Sequence, residues 1–384
     1  MKTILATIAL GLAAFSGGAI AATPSDPELV ELGEAYALAV NQRDTNALDT
    51  LISAQHLAEN IVEIAGDSAE EKQILLATFR KEIPSINRRM LVELDRQNTS
   101  AIYLRIHEFN GMRGPLVRYN VGGGYNYVLL IPVAVGRTDS VARISDLYFA
   151  TSGELMSETV GIATQLASSP SETFLGKLFG AEQINREFVG QIQQVAKLRQ
   201  ENRLREAYDV LDQTEGGIRN HRLILMNTIQ IASQLDEALY RAELRRLAEH
   251  HNDDPRVAFT LLDHYFYENN LDKAMSIINL MERSYGEDGV FNLLRANVEF
   301  ARGRIDAARD YAKKSVQLEP GNEDAHWTLL TTLVQSEMYA ESVAELKALE
   351  SGFGYAFARE NFDGEPLYAE FIKSDEFAAW IDAP

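Results

Sequence analysis

Residues 303–320 read GRIDAARDYAKKSVQLEP. Gly303 sits in a turn, Ala308 follows five positions later inside an amphipathic run, and Pro320 closes it. A small residue there lets two helices approach closely, and proline ends a helix because it lacks the next backbone donor. The pattern recurs. Ala207, Ala238, Ala274, Ala308 and Ser342 align at spacings of 31, 36, 34 and 34 residues. Polar or helix-breaking turns precede the last three, at Asn269-Asn270-Leu271-Asp272, Gly303-Arg304-Ile305-Asp306 and Glu337-Met338-Tyr339-Ala340. Thirteen positions before each small residue stand Leu261, Arg295 and Leu329, the arginine being a departure. A fixed period of this length predicts stacked helical hairpins, each too thin to bury its apolar face alone.

The run from Gly303 to Pro320, with its copies, resembles the tetratricopeptide repeat, a helix–turn–helix unit of about 34 residues. Five copies are expected over residues 187–349. The first two lack the proline. Residues 350–384, with Pro366-Leu367-Tyr368 and Ser374-Asp375 to Ile381, are expected to cap the open end. The resemblance implies a concave face lined by the first helix of each unit. Its register puts a polar row on Asn227, Asp263, Asn297 and Thr331. A second row holds Ile192, Leu223, Phe259, Leu293 and Trp327, and a third Gln230, Phe266, Phe300 and Val334. Amides can pair with a peptide backbone, and aromatic rings add contact area, so the face suits a peptide or partner segment. Leu223, Phe259 and Leu293 stand where the family places lysines that clamp a terminal carboxylate, which disfavours that ligand.

Upstream the texture differs. Residues 26–93 carry apolar positions at three-to-four spacing, with Asp44 and Asp67-Ser68 opening helices and Pro84 interrupting the third. Residues 101–107, 116–121, 125–135 and 141–150 read as strands of an antiparallel sheet. Tyr36 to Asp44, followed by Leu48 and Leu51, resembles the helix–Asp–helix opening of the nuclear-transport-factor-like cone fold. The resulting fold class is an α+β, cone-like domain over residues 26–166, then an all-α tetratricopeptide-like solenoid. Residues 167–186, containing Ser168-Ser169-Pro170-Ser171, read as a linker and lead-in helix.

Residues 1–21 read as a secretory leader: Lys2, an apolar run from Ile4 to Phe15, and Ala19-Ile20-Ala21. The expected location is periplasmic or secreted. There are 36 Lys and Arg against 56 Asp and Glu, a net of −20. Losing Lys2 with the leader leaves 35 against 56, or −21. Such a surface repels nucleic acid and anionic membranes. The chain has no cysteine, which excludes disulfides, thiolate metal sites and cysteine nucleophiles.

No cofactor and no catalytic constellation are expected. His250-His251-Asn252-Asp253-Asp254 reads as a loop rather than a metal site, and Gly122-Gly123-Gly124 lacks the Lys-Ser/Thr of a phosphate loop. The function expected is a non-catalytic protein-binding scaffold. The competing reading is a hydrolase, isomerase or ligand pocket in the sheet, with Asp146 and Tyr148 on one strand face and Tyr103, Arg105 and His107 on another. Convergence of Asp146 and His107 would favour it.

Overall fold

A computed structural model describes residues 24–66, 68–122, 124–136, 141–167, 186–214 and 216–382. The proposed leader and most of the proposed linker lie outside them. Four helices come first: α1 (Asp26–Gln42), α2 (Thr45–Leu51), α3 (Ala54–Ala65) and α4 (Ala69–Arg96). Side chains satisfy the open amides at three of the starts, with Asp44 accepting from Ala47, Ser53 from His56 and Ser68 from Glu71. The expected break at Pro84 does not occur. α4 runs 28 residues straight through it. Proline forfeits one backbone hydrogen bond, but Ile83, Asn87, Leu91 and Leu94 bury one stripe along both sides of it.

Strands β1 (Ser100–Phe109), β2 (Met112–Val121), β3 (Gly124–Val135), β4 (Val141–Phe149) and β5 (Glu154–Leu155) form an antiparallel meander in sequence order. Asn110 and Gly111 join β1 to β2 with φ of 51° and 76°, the left-handed pair that suits a two-residue hairpin. One face of the sheet takes α1–α4. Val117, Tyr119, Val128, Leu130, Ile144 and Leu147 pack there with Tyr36, Val40, Leu48 and Ile61. Gly33 is what lets α1 lie so close: a Cβ there would stand 2.4 Å from the Tyr103 ring. Helix α5 (Met156–Ala167) follows β5.

Among the described residues, the second half is a solenoid of five helical hairpins. They are α6 (Arg186–Gln200) with α7 (Leu204–Asp212), α8 (Arg222–Leu235) with α9 (Glu237–His251), and α10 (Ala258–Tyr267) with α11 (Leu271–Tyr285). Then come α12 (Gly289–Ala301) with α13 (Ile305–Leu318), and α14 (Glu323–Gln335) with α15 (Tyr339–Phe353). In four of them a three-residue turn carries a left-handed middle residue: Asn202, Asn269, Gly303 and Glu337, with φ of 56°, 50°, 72° and 56°. The small residues Ala207, Ala274, Ala308 and Ser342 are buried at the fourth position of the second helix.

The second hairpin breaks this rule and corrects the sequence alignment. Its turn is the single extended residue Asp236, which caps α9 by accepting from the Leu239 amide at 2.9 Å. The fourth position of α9 is Tyr240, while Ala238 is exposed. Aligning Tyr240 instead gives spacings of 33, 34, 34 and 34. His250 and His251 end α9 rather than occupying a loop, and His251 bonds the Asn220 carbonyl at 2.7 Å.

The other sheet face is covered by the solenoid. Phe109, Leu116, Tyr127, Leu129 and Tyr148 share a core with Leu225, Leu261, Ile278, Tyr285 and Phe291. Tyr127 stacks on Tyr285 and Phe291 at 5.2 and 5.4 Å. Arg105 donates to the carbonyls of Tyr285 and Glu287 at 2.8 and 2.6 Å, capping the end of α11. Arg118, buried, pairs with Asp288 and Glu319. Burial alone would lower the pKa of Arg118, but the two carboxylates raise it above the ordinary arginine value. At the far end Phe362, Phe371, Phe377 and Trp380, the last two on α16 (Asp375–Ile381), cover Leu330, Leu346 and Leu349. No helix among the described residues is long and apolar enough to cross a membrane.

Candidate partner-binding face

The first helices α8, α10, α12 and α14 repeat one buried trio: Thr228, Ile229 and Ala232; Leu261, Leu262 and Tyr265; Arg295, Ala296 and Glu299; Leu329, Leu330 and Leu333. That trio sets the register of the open face. The residue two after its first member is Gln230, Asp263, Asn297 and Thr331, the first three exposed and Thr331 half-buried. Gln230, not Asn227, therefore stands in line with Asp263 and Asn297. The second hairpin is the reason: its register residue is Tyr240 rather than Ala238, two positions on, and its one-residue turn shifts the first helix by one more. Asn227 lies one face-position away and is already engaged. Its carbonyl accepts from Arg199 at 2.7 Å and its amide donates to the Leu223 carbonyl at 2.9 Å. Arg199 also donates to Gln230 at 2.9 Å, and burial lowers its pKa.

The apolar row falls on Met226, Phe259, Leu293 and Trp327 by the same register, with Ile192 buried in the first hairpin and Leu223 beside the row. Its members face the protein's own chain. Phe259 lies 5.6 Å from the Tyr127 ring of the sheet. Leu293 is buried. Trp327 meets Tyr355 and Phe357 of the tail edge-on at 5.2 and 5.9 Å. Of the third row, Phe266 is exposed, Phe300 half-buried and Val334 buried.

Between the sheet at one edge and the tail at the last hairpin, the open surface is thus Gln230, Asp263, Phe266 and Asn297. Asp263 accepts from the Tyr240 hydroxyl at 2.9 Å. Burial and the Asp263 charge push the Tyr240 hydroxyl up. Crowding pushes the Asp263 carboxyl up, and the Tyr240 hydrogen bond pulls it back.

The residues of the competing catalytic reading do not meet. A β-bulge between Tyr103 and Arg105 puts them on opposite faces, correcting the shared face expected of Tyr103, Arg105 and His107. Tyr103 packs with the helices, whereas His107 Nε2 bonds the Ser284 carbonyl at 2.7 Å on the solenoid side. Asp146 is spent elsewhere, accepting the amides of Leu147 and Ser157 at 2.9 and 3.1 Å at the start of α5. Burial raises its pKa despite those bonds. The sheet–solenoid seam was not legible beforehand, yet β3 carried a signal for it: its apolar run from Tyr127 to Val133 does not alternate, as befits a strand buried on both faces.

No family model and no curated protein matches this chain. Among solved structures it is similar to YrrB, described as a TPR protein with an unusual peptide-binding site, at 14% identity and a TM-score of 0.32 over 41% of this chain and 81% of that one.

Proposed function

We propose that this chain is an exported, non-catalytic scaffold that holds a peptide or partner segment on the open face of α8, α10, α12 and α14. One observation carries the reading. Asp263, Asn297 and Phe266 remain exposed in the middle of the solenoid, while the sheet and the tail take up the apolar residues beside them. Side chains that can hydrogen-bond an extended backbone, next to an exposed ring, are the parts such recognition uses. Export rests on the leader pattern of residues 1–21.

A photo-crosslinking residue at position 297 tests the face. A matched one at Leu38, itself exposed on α1, serves as control. In cells the first should yield a discrete adduct that the second does not, and Asp263→Ala should weaken it. Identical adducts from both positions would remove the face from the mechanism. A mature amino terminus at Ala22 in an extracytoplasmic fraction is the expected result for export.

A further inference from the structure

The hairpin that breaks the 34-residue rule also makes a cleft. Tyr240, half-buried, stands where the other hairpins bury alanine or serine, and its hydroxyl reaches across to Asp263 on the next hairpin. Tyr267 meets it edge-on, with centroids 6.1 Å apart and planes at 82°. The two rings, residues 233–235, Asp236, Glu237 and Asp263 line the cleft.

Its charges do not balance. The lining holds three carboxylates and no basic residue. Asp236 is occupied in capping α9, and Glu237 pairs with Arg241 at 2.5 Å. Asp263 makes no ion pair among the described residues, and one of its oxygens accepts nothing there. The rings have an affinity of matching sign. The Arg241 guanidinium already rests 4.3 Å from the Tyr267 centroid, an attraction between a cation and an aromatic face. The whole chain carries −20, a field that draws cationic partners.

We infer that this cleft selects the partner: it takes an arginine or lysine side chain of an extended segment lying on the open face. The cation completes Asp263 with a charge-assisted hydrogen bond and packs against the tyrosine walls. The rest of the segment continues over Phe266 and Asn297. This inference rests on the face reading above and specifies its ligand.

A random dodecapeptide library displayed on phage, panned against the full chain, tests it. Binders should be enriched in arginine or lysine at one position. Asp263→Asn, which keeps an acceptor for Tyr240 at an exposed site, should still yield binders but without that enrichment. A selected peptide with its basic residue replaced by citrulline or norleucine should bind wild type about tenfold more weakly, a loss of about 1.4 kcal/mol. It should bind Asp263→Asn no more weakly than the parent peptide does. Tyr267→Ala should shrink the same difference without altering charge. Binders lacking a basic preference, or a preference that survives Asp263→Asn, overturn the cleft while leaving the face. A wild-type chain that selects no binder overturns the face itself, and the cleft with it.

Discussion

Replacing Arg118 by methionine removes the cation that faces Asp288 and Glu319 across the seam between sheet and solenoid. The side chains of Arg118 and Asp288 are 1% and 2% exposed, and that of Glu319 is 17%. Methionine fills much of the space, so the loss is chiefly electrostatic. Asp288 keeps the Tyr127 hydroxyl at 2.8 Å and the Val290 amide at 3.0 Å, but no longer a counter-charge. Stripping one partner from a buried pair costs about 3–5 kcal/mol. The partial exposure of Glu319 places the expectation near 3. Urea unfolding followed by far-UV circular dichroism measures it across both halves. Tryptophan fluorescence provides a second view, because both tryptophans, Trp327 and Trp380, lie in the last hairpin and the tail. If the seam joins the halves into one cooperative body, both signals shift together. Adding Asp288→Asn and Glu319→Gln to the methionine variant should recover most of the loss, since no unpaired charge remains. A loss under about 1 kcal/mol, the range of solvent-exposed pairs, would refute the idea that this triad locks the seam.

Three further outcomes follow from single sites. Glu337 holds a left-handed φ of 56° in a turn where a sister hairpin uses glycine; Glu337→Gly should relieve about 1 kcal/mol of strain and raise the thermal midpoint, and a lower midpoint counts against it. Gly153 has φ of 66°, and a Cβ there would lie 2.2 Å from Cβ of Arg256, so Gly153→Val should lower the urea midpoint by at least about 2 kcal/mol in stability terms; an unchanged midpoint would show that the contact yields. Asp146 is buried, with one carboxyl oxygen unpartnered. Its raised pKa means that the folded chain holds this proton at pH values where the unfolded chain has released it. Wild type therefore loses stability relative to Asp146→Asn as pH rises from about 4 through the folded pKa, and a stability gap that stays constant from pH 4 to 7 contradicts this.

The repeats were legible because a period of 34 is a property of the chain alone. Ala274, Ala308 and Ser342 could be found by counting. The second hairpin misled for a physical reason: Tyr240 replaced the small residue that marks the register, and the exposed Ala238 nearby offered a false one. That slip of two positions, and one more from the shortened turn after α8, moved Asn227 into a row that belongs to Gln230. The four long strands were legible from β-branched and aromatic runs. What covered them was not. Arg118 and Asp288 are 170 positions apart, and neither carries a local mark of the other. The continuity of α4 through Pro84 was hidden likewise, since the packing that holds it together comes from α2 and α3.

The seam changes what kind of repeat protein this is. Free helical arrays behave like chains of beads, in which units can be trimmed from an end at a roughly constant cost each. Here three arginines tie the joints between hairpins to the sheet: Arg222, at the start of α8, reaches Ser152; Arg105 holds Tyr285 and Glu287 after the third hairpin; and Arg118 holds Asp288 there and Glu319 after the fourth. Shortening such an array by one unit unseats a tie as well as a bead. The sheet also shares its core with the middle hairpins, so a segment docking as proposed would meet a braced surface with less left to order than on a free array.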